Sequence, residues 1–147
     1  MALVWHRLCS VDYQDPMRMT SQDEKRSHAV RAPAAAAFGV VLRCRRRVSL
    51  ARVQRLLEEY AEARCHGVAL ALTEDTDWGS LVSPRPETFH FLQVASGDEI
   101  FSLCRFREFE GGYEFLFNLS NTRDSPYQIE QFLLASLPAE IVKREMF

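Results

Sequence analysis

The sequence predicts an α+β domain with a single mixed or mainly antiparallel sheet of about five strands and helices packed on one face. Three features carry that expectation. FGVVLRCR (38–45) alternates, with Phe38, Val40, Leu42 and Cys44 on one side and Gly39, Val41, Arg43 and Arg45 on the other. That is the period of a strand with one buried face. From Leu50 the period changes, and Leu50, Val53, Leu56, Leu57, Tyr60, Ala61 and Arg64 recur at helical spacing. Residues 88–119 then read as three apolar runs separated by two turns, the pattern of an antiparallel meander.

Taken in order, residues 1–37 read as an N-terminal arm. Ala2–Cys9 is short and apolar enough for a strand, while 11–37 is polar, Ala/Pro-containing and without periodicity. Met17 and Met19 leave a later natural start open. Residues 38–147 form the expected single domain. After the strand at 38–45, Ser49 suits an N-cap, and Gly67 is placed to stop the helix. GVALALT (67–73) reads as a short strand, and a parallel strand–helix–strand crossover is one way to pair it. The polar run from 74, with Gly79, Pro84 and Pro86, reads as a loop. TFHFLQVA (88–95), EIFSLCRFREF (99–109) and YEFLFNL (113–119) are strands, with Gly111 and Gly112 in the second turn to supply positive φ. Asp124 or Ser125 caps the next helix, with Pro126 at its first position and Gln128 completing a capping box. Ile129, Phe132, Leu133 and Leu137 make its apolar face, Pro138 breaks it, and 139–146 reads as one more short helix.

The chain of 147 residues is 47% hydrophobic, enough to bury a core without disulfide or metal staples. Cys9, Cys44, Cys65 and Cys104 show no C-x-x-C pair and no zinc or redox spacing, and Cys44 and Cys104, inside apolar strand-like runs, read as small buried hydrophobes. His6 and Arg7 interrupt the first apolar run, no signal peptide is visible, and no run is long enough to span a membrane. A reduced, cytoplasmic protein is the resulting expectation, and the sequon at 118–120 carries little weight against it.

Net charge is −2, but residues 1–66 carry +5 and residues 67–147 carry −7. Such asymmetry bears on partner choice and encounter rate, not on fold. Two clusters stand out. Glu74, Asp75 and Asp77, followed by Trp78, form an acidic and aromatic stretch suited to a basic protein partner. The same carboxylates, joined by Asp98 and Glu99, would suit a hard divalent cation, although the EF-hand pattern is absent. Arg45, Arg46 and Arg47, with Arg43, Arg52 and Arg55 nearby, form a basic patch. Its plain explanation is charge guarding an edge strand. Arg52, against the macrodipole at a helix start, hints at a phosphate or an acidic partner. Nucleic acid is disfavoured, because no recognition motif accompanies the patch.

Cys65–His66 and His90 with Cys104 raise a cysteine-nucleophile reading, but nothing nominates an oxyanion hole or an orienting group. Phosphate-binding, dinucleotide, nucleophile-elbow, zinc-protease and deaminase motifs are all missing. The expectation is a non-enzymatic interaction module without cofactor, of stoichiometric-inhibitor or immunity type. It would contact a basic partner through Glu74, Asp75, Asp77 and Trp78 and use Arg45, Arg46 and Arg47 as a second contact. The alternative is a metal-dependent hydrolase or nuclease built on residues 74–77. Self-association stays open.

Overall fold

A computed structural model describes residues 36–147. Ten elements follow one another: β1 (Ala37–Cys44), α1 (Leu50–Arg64), β2 (Val68–Ala69), β3 (Thr73–Trp78), β4 (Glu87–Ser96), β5 (Glu99–Phe109), β6 (Gly112–Asn118), a 3-10 turn (Leu119–Asn121), α2 (Pro126–Ser136) and β7 (Ala139–Met146). The strands form one seven-stranded sheet in the order β2-β4-β5-β6-β1-β7, with β3 also pairing β4. Every pairing is antiparallel. The α+β class is as expected, and the sheet is larger than five strands. The expected strand at Ala2–Cys9, and all but the end of the arm 1–37, lie outside the described residues.

Alternation sorts the sheet into two faces. Phe38, Val40, Leu42, Leu92, Val94, Cys104, Phe106, Tyr113, Phe115 and Phe117 join Val53, Leu56, Leu57, Tyr60, Ile129 and Leu133 in one apolar cluster, so both helices cover the same face. Tyr60 of α1 meets Phe132 edge-on at 4.9 Å between ring centres and tilts over Phe117 at 5.9 Å. These aromatic contacts tie α1, α2 and the sheet together. The opposite face carries Ala37, Phe89, Phe91 and Leu116, with Trp78 against them.

The local signals explain most of the elements. Ser49 caps α1 by accepting from the amide of Arg52, and Ser125 and Gln128 form the reciprocal capping box of α2 with Pro126 at its start. At the end of α1 the left-handed residue is His66 (φ 52°), not Gly67. Gly67 is required for room instead, since a Cβ there would meet Val94 and lie 2.7 Å from the carbonyl oxygen of Ala95. In the second hairpin turn Gly111 supplies the positive φ of 94°, while Gly112 supplies space against the Leu42 carbonyl.

Three sequence expectations are corrected. The first strand–helix–strand unit makes no parallel crossover, because α1 carries the chain across the sheet to its far side and β2 pairs antiparallel with β4. Residues 139–146 form strand β7, not a helix: β6 pairs with only one side of β1, and on the other side Ile141 pairs with Leu42 while packing against the core. Residues 73–78 form an edge strand, not a loop, because Thr73, Glu74 and Asp75 find register partners in Phe91, His90 and Phe89.

Candidate functional site

β3 is held on one side only, and its residues Thr73 to Asp77 are all exposed. Glu74 lies 3.5 Å from Nδ1 of His90, its register partner. Asp75 accepts the amide of Thr76, and then the register shifts before Trp78 pairs with Glu87. Asp77 occupies the left-handed region at φ 68°, a conformation that Asp tolerates better than most residues. Neither Asp75 nor Asp77 has an ion-pair partner among the described residues. The edge is therefore an exposed acidic strip in which, among the described residues, only Glu74 faces a titratable base, His90.

Trp78 is set differently from the acids. It is half-buried, edge-on to Phe91 at 5.2 Å, with the Arg105 guanidinium 5.2 Å from its ring centre. Arg105 also lies 4.4 Å over Phe89, so one cation is in reach of two aromatic faces. Trp78 thus packs β3 against the sheet and is only partly exposed.

The basic residues are elsewhere. β1 is flanked by β6 and β7, so it is not an edge strand and Arg45–Arg47 guard no edge. They follow its last residue, and all three are exposed. Arg45 donates to the carbonyl of Ala139 at 3.3 Å, and Arg47 lies 3.8 Å from Glu108. Between Trp78 and this patch lie four strand-to-strand steps, β3-β4-β5-β6-β1, or about 19 Å at the usual spacing. The structure therefore does not bring the two clusters together. Arg52 has a structural role: it donates to the carbonyl of Ser136 at 3.1 Å, the C-terminal end of α2, where a cation opposes the helix dipole favourably.

Asp98 and Glu99 do not reach the acidic edge. Glu74 pairs with His90, whereas Glu99 pairs with Ser96. Six residues of extended strand separate those levels, about 20 Å. Among the described residues no group of three or more His, Cys, Asp or Glu stands where it could hold a metal ion. Cys104 is fully buried, and burial raises its thiol well above the usual range. Burial, with Asp124 second, likewise pushes the Cys65 thiol up to about 11. Both are thiols, not thiolates, at neutral pH, and neither is an activated nucleophile.

One polar network was not singled out from the sequence. Glu114 is 2% exposed on the helix-free face. Its carboxylate accepts from the Ser80 hydroxyl at 2.6 Å, the Leu81 amide at 2.8 Å and Arg107 at 2.8 Å. Leu81 fills the hollow left by Gly39, and Lys143 donates to its carbonyl at 3.1 Å. Residues 79–83 are thereby strapped across the sheet, over a cavity of about 270 Å³ bordered by Phe89, Arg105, Leu116 and Phe147. The hairpin register holds the signal that would have found the pair, since counting back from Gly111 sets Arg107 against Glu114.

No described helix is long and apolar enough to cross a membrane. Comparison with protein-family models, curated proteins and solved structures finds no match.

Proposed function

We propose that this chain is a cytoplasmic, non-enzymatic binding module that presents the β3 edge to a protein with a basic surface, in the manner of a stoichiometric inhibitor or immunity-type protein. One observation supports this reading above the others: Glu74, Asp75 and Asp77 are exposed on an edge strand, and the two aspartates have no ion-pair partner among the described residues. A basic partner would gain attraction at the two aspartates without breaking any ion pair between described residues. The rigid sheet behind the edge, fixed by Trp78, Phe91 and Arg105, fixes the spacing of the carboxylates. Arg45, Arg46 and Arg47 would serve a second, separate contact.

The test is capture of a partner from native lysate by the wild type and by an Asp75→Asn/Asp77→Asn variant. The expected result is a stoichiometric protein complex, weakened in the variant and by added salt, mainly through a slower association rate. Thermal melts with and without millimolar Mg²⁺ or Mn²⁺ are run beside it. A metal-dependent rise in the wild type that disappears in the variant would overturn the binding reading and favour a metal-dependent hydrolase, because a ligand that binds only the folded state stabilises it by mass action.

A further inference from the structure

Ser-Pro occurs twice in the described chain, at Ser83-Pro84 and Ser125-Pro126, and the structure treats the two steps differently. Ser125 is the N-cap of α2, its side chain accepts from Gln128, and Pro126 opens the helix. Reaching it in extended form would unwind the first turn of α2. Ser83 lies in an irregular segment between β3 and β4, with Pro84, Arg85 and Pro86 all exposed. The segment is bent at 81–85, and proline at 84 and 86 fixes φ at two positions and disfavours helical backbone at Ser83 and Arg85, so Ser83–Pro86 has fewer conformations to lose when gripped than a proline-free loop. Pro84 has no N–H, so an enzyme groove that offers no acceptor at that position loses nothing by taking it.

The surroundings of Ser83 already handle an anion. The Ser83 hydroxyl donates to Glu87 at 2.6 Å, and that carboxylate lies 3.8 Å from Arg85 and 3.9 Å from Arg107. The Ser83 hydrogen bond, then Arg107 and Arg85, hold Glu87 below the usual carboxylate range. Arg107 in turn grips Glu114, which holds the Ser80 hydroxyl and the Leu81 amide of the strap. A group added at Ser83 therefore sits three contacts from the Glu114 carboxylate, through Glu87 and Arg107.

We propose that Ser83 is a phosphoacceptor for a proline-directed serine kinase, and that its modification releases the strap at residues 79–83. In the step, the Ser83 oxygen forms a bond to the γ-phosphorus of ATP, the bond from that phosphorus to ADP breaks, and the hydroxyl proton passes to the kinase's base. The product places about −1.5 to −2 of charge against Glu87. The esterified oxygen has no proton left to donate, so the Ser83–Glu87 hydrogen bond is lost, and the phosphate repels Glu87 and competes with Glu114 for Arg107 through charge-assisted bonds of the same kind. Glu114 then loses a partner, and the amide of Leu81 exchanges more freely.

The experiment incubates the full chain with ATP and a proline-directed serine kinase, with a Ser-Pro reference peptide as positive control, and reads phosphoryl incorporation by intact and peptide mass. The expected result is one phosphoryl group, located on Ser83, abolished by Ser83→Ala and by Pro84→Ala and unaffected by Ser125→Ala. Hydrogen exchange on the modified protein should show the Leu81 amide exchanging about tenfold faster, the loss of one net hydrogen bond. Three results overturn the proposal: no incorporation while the reference peptide is modified, incorporation on Ser125 instead of Ser83, or Leu81 exchange unchanged after modification.

Discussion

Two adjacent glycines in the hairpin between β5 and β6 perform different tasks, which separates conformational from steric requirement. Gly111 holds φ 94°, and a Cβ there would meet nothing, whereas a Cβ on Gly112 would collide with the Leu42 carbonyl of the neighbouring strand. Gly112→Ala is expected to cost about 1–3 kcal/mol, the cost of forcing atoms into packed space, seen as a lower urea midpoint at unchanged m-value. Gly79 has open space around it and no left-handed φ. Gly79→Ala is expected to stabilise by about 0.4–1 kcal/mol, because it restricts the unfolded chain at no cost in the folded one. Cysteines supply a titration signature at the same scale. Burial raises the thiols of Cys44, Cys65 and Cys104, that of Cys65 from 9.0 to about 11. The folded protein therefore holds these protons more tightly than the unfolded chain. Stability is intact below pH 9.0 and falls as pH rises from there towards about 11. Urea titrations across that window should show the decline, and Cys65→Ser should make it shallower.

Aromatic residues on one face of β6 connect the elements. Phe115 and Phe117 are at most 1% exposed, stack with centres 6.0 Å apart, and lie under both helices. Truncation of either to Ala is expected to cost about 3–5 kcal/mol, much of the margin of a domain this size. Circular dichroism melts would show loss of the cooperative transition or a strongly lowered midpoint, and an unchanged melt would remove this face from the core. The period of the apolar residues made β1, α1, the β4–β6 meander and α2 legible, because each satisfies its own local rule before it meets a partner. β7 and β3 were not legible for the converse reason. AEIVKREM alternates too weakly to outweigh its charges, and it becomes a strand by pairing with the side of β1 that β6 does not occupy. TEDTDW has no apolar period at all, and β4 imposes its extended form. The acids were visible as a cluster, but their place on a sheet edge, and the inward turn of Trp78, depend on strand order, which no local pattern encodes. Arg52 reads as misplaced within α1 and is explained by the end of α2.

At the scale of the described domain the two charged clusters are separated in space. The acids at 74–77 lie on β3 at one side of the sheet, and Arg45–Arg47 lie beyond β1, next to the opposite edge strand β7. At about 19 Å, roughly two Debye lengths at physiological ionic strength, the clusters barely feel one another across solvent. Their exposed ion pairs are also weak: Arg47 and Glu108 are 82% and 38% exposed and 3.8 Å apart. Replacing Arg45, Arg46 and Arg47 together by Gln is therefore expected to change stability by no more than about 1 kcal/mol. Combining that variant with Asp75→Asn/Asp77→Asn provides a cycle. Sites with no shared partner and separated by more than about 10 Å add to within about 0.5 kcal/mol. Folding stability by denaturant titration should be additive within that limit. Partner binding by surface plasmon resonance should be additive as well if the two clusters meet different parts of one surface. A coupling above about 1 kcal/mol in binding, with none in folding, would mean that the partner links the two edges by changing shape as it docks.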